Sequence, residues 1–301
     1  MNHFQENWKK GLVLSLVTVL FWSTLPVALK ISLSGMDALT LTWFRFLVAG
    51  LITLLILASK RKLREFGALS RTDWVWLSLA ALMLIGNYVF FLIGLDMTSP
   101  ANAQVFIQMA PLLMTLGGVL IFKEPFNRFQ MLGVVSILVG LCLFFSDQIK
   151  QIISSDYTLG IWVMFAAALT WAIYALIQKK LAASLSSQSI LLFIYVFASV
   201  AMVFWADFSG YSQILPVQWW AIAYACINTV IAYGAFAEAM NHWHASRVGM
   251  VLALTPVTTL LFINAFAYVF PSRLAAESLQ QLGYIGMVFI VSGSMLASLK
   301  R

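Results

Sequence analysis

Few residues in this chain can do chemistry, and Arg45 comes first. It lies about 7 residues into the apolar run from Ala38 to Ser59, hence roughly 10 Å from the start of that run at 1.5 Å per helical residue, and no acid shares the run. A cation so placed either hydrogen-bonds helix-end carbonyls and snorkels to the surface, or receives the carboxylate or phosphate of a ligand. The amides form a second group. Gln104 and Gln108 are four apart and share a helix face with Asn87 nearby in the preceding run, and Pro111 frees a backbone carbonyl beside them. In the second half Asn228 and Asn264 are also far from run ends, and Pro256 repeats the break. These amides either bind helices to one another or meet a ligand. A third group is aromatic: Trp22, Tyr88, Phe91, Trp171, Tyr174 and Tyr233 lie deep in their runs, with Asn87 and Phe91 on one face. A cavity walled by such rings and a few amides would suit a small amphipathic molecule.

Missing groups narrow the chemistry further. Every one of the 11 acids is in a loop or at the edge of an apolar run, so no mid-depth carboxylate is available to exchange a proton for a cationic substrate. His242 and His244 fall in a short connection and read as solvated, and His3 belongs to the tail. Cys142 and Cys226 are inside apolar runs and suggest neither a disulfide framework nor a metal site. No zinc-hydrolase, nucleophile-elbow or phosphate-loop pattern occurs. No enzyme activity, cofactor or metal is expected.

The elements that must carry these residues follow from composition. The 301 residues are 62% hydrophobic and 10% charged, and mean hydropathy is +0.92, against about 45–50% apolar and about 25% charged in soluble domains. That excludes an ordinary soluble enzyme and a disordered chain. A nucleic-acid binder is excluded too, despite a net charge of +7, because the basic residues do not share one surface. A bilayer core needs roughly 20 apolar residues per helix, and ten such runs are present: Gly11 to Leu29, Ala38 to Ser59, Trp74 to Leu95, Ser99 to Phe122, Phe129 to Ser146, Tyr157 to Gln178, Gln188 to Ala206, Val217 to Ala237, Val248 to Phe270 and Leu279 to Leu299. They are continuously apolar rather than alternating, which predicts helices and not a barrel. The first run follows Lys9 and Lys10 but is too long for a signal peptide and is expected to stay as a helix.

With the N-terminus inside, 14 of the 18 Lys and Arg fall on the cytoplasmic side, only Lys30, Lys150 and Arg273 fall outside, and Arg45 is within a span. The positive-inside rule therefore predicts both termini in the cytoplasm. The halves also repeat. Gly11, Trp22 and Lys30 match Gly160, Trp171 and Lys179; Tyr88 and Pro111 match Tyr233 and Pro256; Glu124, Gly133, Ile137 and Gly140 match Glu277, Gly286, Ile290 and Gly293. Five spans per half is an odd number, so the second half must cross the membrane in the opposite sense, the inverted duplication common in secondary transporters. Gly133, Ser136 and Gly140, with Gly286 and Gly293, form small-residue stripes suited to close helix packing within a protomer or between two, leaving a homodimer open.

Several stretches resemble one family. Glu124-Pro125 with Gln130, Gly133, Ile137 and Gly140, then Phe21-Trp22-Ser23 with Pro26-Val27, and Arg45-Phe46, are similar to signatures of the EamA branch of the drug/metabolite transporter superfamily. The resemblance covers Gly11 to Leu299. It implies a ten-helix carrier of small metabolites, often an exporter of amino acids or related compounds in a bacterial inner membrane, with Trp22 and Ser23 of the first signature near the substrate. The expectation is thus an all-α membrane protein of ten transmembrane helices in two inverted-topology five-helix repeats, residues 11–146 and 157–299, after a cytoplasmic tail at 1–10. Its partners would be a small-molecule substrate and the lipid bilayer, and alternating access through a central cavity would move amphipathic metabolites, amino acids first. Export of drugs and lipophilic compounds is the alternative within transport. A membrane-embedded enzyme or a non-transporting scaffold is the alternative outside it.

Overall fold

A computed structural model describes residues 7–97, 106–146, 158–209, 211, 214–269 and 280–298, and those residues contain helices and no strand. The helices are α1 (Trp8–Leu33), α2 (Ala38–Ser59), α3 (Arg71–Met97), α4 (Met109–Phe122), α5 (Arg128–Phe144), α6 (Thr158–Leu181), α7 (Ser187–Met202), α8 (Pro216–His242), α9 (Ala245–Leu252), α10 (Thr255–Val269) and α11 (Gln281–Ser298). Seven helical stretches are long and apolar enough to cross a membrane, α9 and α10 together forming one of them, and α4, α5 and α11 are shorter apolar helices. The starts follow local chemistry. Asp37 accepts from the backbone N–H of Leu39 and Thr40 at 2.9 and 3.0 Å and opens α2. Asn127 and Gln130 form a reciprocal capping box at α5. Pro216 occupies the first turn of α8, where its missing N–H costs nothing.

Many large aliphatic side chains point outward, while hydroxylated ones of α1 are turned inward beside a buried core of rings and aliphatic groups. Leu16, Leu20, Leu55, Leu120 and Val288 are exposed, as helices facing hydrocarbon require, whereas Ser15, Thr18 and Ser23 of α1 are wholly buried. Each of those hydroxyls donates to the carbonyl one turn earlier in its own helix, so a polar atom enters the interior already satisfied. The most extensive packing pairs α5 with α11, α3 with α6, α1 with α8, α2 with α7, and α4 with α9. In each pair one helix precedes residue 150 and the other follows it.

The α5–α11 pair shows why small residues recur there. A Cβ on Gly140 would lie 2.7 Å from the backbone nitrogen of Ile290, and one on Gly293 would lie 2.7 Å from the carbonyl oxygen of Gly133. Ser136 donates across the same seam to the Phe289 carbonyl at 2.8 Å. The glycine stripes therefore meet each other inside one chain.

Two of the expected spans are broken rather than continuous. The fourth has a turn at Gln108 before α4, and the ninth is divided at Ala253–Leu254 into α9 and α10. Pro111 and Pro256 sit just after these breaks, where they cannot supply the next helical N–H. Gly140→Val or Gly286→Val should lower the unfolding temperature in detergent, reflecting a loss of about 1–3 kcal/mol from overpacking. Gly67→Ala, where an added Cβ meets nothing within 4 Å, should leave it unchanged.

Candidate functional site

Arg45 lies two turns into α2 and is 3% exposed. Its Nε donates to Thr229 Oγ1 of α8 at 3.1 Å, and that hydroxyl spends its own proton on the Ala225 carbonyl at 2.8 Å, leaving a lone pair for the guanidinium. The guanidinium carbon stands 4.4 Å from the ring centre of Tyr88 on α3. The Phe46 ring packs against the same tyrosine with centroids 4.5 Å apart. Among the described residues no carboxylate forms an ion pair with Arg45, and its terminal amino groups make no hydrogen bond. This is a buried cation with unspent donors, neither snorkelling nor bound to a helix-end carbonyl.

Those donors border a cavity of about 120 Å³. Trp22, Arg45, Asn87, Tyr88, Phe91, Gln108 and Trp171, all expected near a site, line it. Asn87 donates from Nδ2 to the Ala167 carbonyl at 2.9 Å, which pins the amide and leaves its oxygen free of protein donors among the described residues. Gln108 is 4% exposed at the break before α4, and its Oε1 has no partner among the described residues. Pro26, Pro111 and the carbonyl-bearing residues one turn before them, Trp22 and Ile107, also line the cavity, and those carbonyls have lost their usual helical donor. The site thus combines a cation with no ion-pair partner among the described residues, two amides, backbone acceptors and aromatic faces. The lining residues on α1, α2, α3 and α4 all belong to the helix halves far from the Trp8 end of α1.

Other expected site residues are placed elsewhere. Tyr174 and Tyr233 are buried beneath the cavity, in a ring stack that joins Trp22, Trp171 and Phe236 at centroid separations of 5.0 to 6.1 Å. Trp22 and Trp171 make the cavity floor, and the two tyrosines pack against these rings without lining it. Ser23 turns away to α10, bonding the Thr258 hydroxyl at 2.6 Å. Asn228 is fully buried and donates to the Phe21 carbonyl at 2.6 Å, tying α8 to α1. Asn264 is half-buried on α10 and is not among the lining residues. Gln104 lies outside the described residues.

Two charged groups read from sequence as loop or cytoplasmic charges, Glu124 and Arg247, are buried instead, and Lys179 is half-buried beside Glu124. Glu124 has a side chain only 3% exposed, and its Oε1 is 2.5 Å from Lys179 Nζ at the end of α6. The same carboxylate accepts from the backbone N–H of Ala245 and Ser246 at the start of α9, each at 2.9 Å. Lys123 in a left-handed conformation, φ 51°, turns the chain so that the carboxylate crosses Gly118, where a Cβ would stand 2.7 Å from Oε2. Burial pushes the Glu124 carboxyl up, but the Lys179 ammonium and the amide donors outweigh it and hold it below its ordinary value. Arg247, on the first turns of α9, is 6% exposed. The histidines differ from expectation as well: His242 ends α8 and meets Glu238 at 3.0 Å, and His244 is 3.9 Å from Glu124. The signal for this cluster was present, since Glu124 and Lys179 are both among the residues that repeat between the halves. No group of metal-binding side chains occurs among the described residues.

Comparison with known proteins accords with the geometry. The model of the EamA-like transporter family matches the chain twice, over residues 9–146 and 158–299. An "Uncharacterized transporter" of Haemophilus influenzae is 36% identical over 290 residues, spanning 96% of this chain and 94% of its own. The "Uncharacterized inner membrane transporter YhbE" of Escherichia coli (strain K12) is 33% identical over 292 residues, spanning 96% of this chain and 91% of its own. A solved structure entitled "Crystal structure of protein" superposes with a TM-score of 0.75 at 17% identity, covering 96% of each chain, and shares the fold. Apolar helices, a central cavity and a family match repeated in both halves lead to one conclusion: this integral membrane protein belongs to the EamA-like transporter family and is a transporter of the drug/metabolite type.

Proposed function

We propose that the chain is a secondary carrier of small amphipathic metabolites bearing a carboxylate, amino acids foremost, which it exports or lets pass down a gradient. Arg45 carries the reading. A guanidinium 3% exposed with no counter-ion among the described residues is costly to hold, and a ligand carboxylate at the cavity wall would complete it with charge-assisted hydrogen bonds. The aromatic faces of Trp22, Phe91 and Trp171 would take the apolar part, and the Asn87 and Gln108 oxygens would accept from an ammonium or amide. The drug-exporter alternative gains nothing from this wall, because a buried Arg repels lipophilic cations.

Transport would proceed by alternating access between two inverted five-helix repeats making ten spans. Three observations support that architecture. The family model matches each half. The helix pairs α1–α8 and α3–α6 exchange under a two-fold relation between halves, and α2–α7, α4–α9 and α5–α11 map onto themselves. The cavity lies in one half of the helix lengths, as expected of a carrier open to one side. A bacterial inner membrane with both termini cytoplasmic agrees with the 14-to-3 distribution of Lys and Arg and with the name of the Escherichia coli relative. In that orientation the cavity faces outward.

Purified protein in liposomes should move a labelled apolar or aromatic amino acid faster than empty vesicles, and equal rates would refute the carrier reading. Arg45→Gln should cut that flux by roughly 10-fold or more, the worth of a hydrogen bond to a charged group, while flux of a lipophilic cation rises. Gln108→Ala and Trp171→Ala should each lower flux at normal membrane abundance, and unchanged transport in both would make these residues packing alone.

A further inference from the structure

The half of the molecule beyond the cavity floor holds polar side chains that packing does not explain. Gln178 on α6 is 1% exposed, and neither its Oε1 nor its Nε2 has a hydrogen-bond partner among the described residues. Tyr174, one turn earlier, is fully buried and its hydroxyl is likewise unpartnered among them. Leaving such groups unsatisfied costs about 1–3 kcal/mol each, a cost that apolar residues would avoid. Trp171, Tyr174 and Gln178 fall at i, i+3 and i+7, so they form one stripe down α6 from the cavity wall. The residue after that stripe is Lys179, locked to Glu124.

We propose that this stripe is the closed half of the translocation path, and that the Glu124–Lys179 pair seated on the α9 amides is the latch that keeps it shut. The proposal rests on the carrier reading above. One carboxylate fastens the end of α4 to the end of α6 and the start of α9. Both α4 and the α9–α10 segment also reach the cavity, through Gln108, Pro111, Leu252 and Thr255. Opening this end means parting α4 from α6 and α9, which exposes the carboxylate, the ammonium and two amides to water. Solvated pairs are worth little, so breaking the latch is tolerable once the path is wet, whereas a single partner left in the closed state is an uncompensated buried charge. The opposite end differs as a latch model requires. Lys30, which repeats Lys179 in sequence, is exposed at the end of α1 beside the cavity-lining Leu29 and forms no ion pair with the described residues. In the open state Tyr174 and Gln178 gain water or substrate as partners.

The test uses the full chain with Cys142→Ser and Cys226→Ala, carrying Gln178→Cys as a reporter of the closed half or Phe91→Cys as a reporter of the cavity. A membrane-impermeant maleimide is added in turn to either side of oriented vesicles. Glu124→Gln and Lys179→Gln should each raise labelling of Gln178→Cys from the Trp8 side by about 10-fold or more, the population shift expected when a buried pair is broken. Labelling of Phe91→Cys from the other side should fall in parallel. Ala245→Pro deletes one amide donor at a helix start that accepts proline, and it should shift labelling in the same direction with both charges intact. It serves as the test should either charge variant fail to fold, as judged by thermal unfolding in detergent. Unchanged Gln178→Cys labelling in the folded variants overturns the latch. Flux of a labelled amino acid in the same vesicles is scored separately, so absent wild-type flux refutes the carrier reading while the labelling still decides the latch.

Discussion

In hydrocarbon, every backbone N–H and C=O must find a partner within its own helix, and each place where a helix breaks leaves groups that something else must satisfy. The fold places its breaks around one level. Pro26 sits inside the continuous helix α1, the turn at Gln108 with Pro111 interrupts the fourth span, and the Ala253–Leu254 turn with Pro256 divides α9 from α10. Trp22, Ile107 and Leu252, whose carbonyls those prolines deprive of a donor, all line the cavity. One of the three is already satisfied, since Thr255 donates to the Leu252 carbonyl at 2.6 Å. The others give the cavity backbone acceptors opposite an arginine, so the constraint that makes the helices regular elsewhere is what concentrates polarity here.

Charge is distributed under the same constraint. Two of the buried ionised groups, Glu124 and Arg45, are treated in opposite ways. Glu124 pairs with Lys179 and accepts further from two helix amides. Arg45 is supported by one hydroxyl and one aromatic face, and stays incomplete. Between them lies the cluster of rings of Trp22, Trp171, Tyr174, Tyr233 and Phe236. A paired charge cluster, a cluster of aromatic rings and an arginine beside the cavity follow one another along the molecule.

Packing between the halves depends on side chains that take up little room. Gly140 and Gly293 let α5 and α11 touch backbone to backbone, and Gly249 brings α9 to within reach of Thr115 and the Pro111 carbonyl on α4. Hydroxyls such as Thr18 and Ser23 serve each helix first and its neighbour second. The apolar bulk turned to lipid, such as Leu55 and Leu120, adds little to specific association.

Much of this was legible in the order of residues alone, because hydrophobic length and charge placement are properties of the chain and need no partner. The helical class, the breaks near Pro111 and Pro256, the repeated glycines and the isolation of Arg45 are all of that kind. Burial is different, since it depends on which helix lies opposite. Gln108 and Asn228 look equivalent as amides within apolar runs, yet one faces a cavity and the other ties α8 to α1. Tyr88 and Tyr174 are both deep tyrosines, yet only Tyr88 reaches the cavity wall. Glu124 and Lys179, at run ends and so apparently solvated, were brought together across 55 positions of sequence by the meeting of α4, α6 and α9. Sequence determined what the membrane would accept, through hydropathy and charge; tertiary structure decided which polar groups find a partner among the described residues and which face the cavity without one, because that depends on distances between helices far apart in the chain.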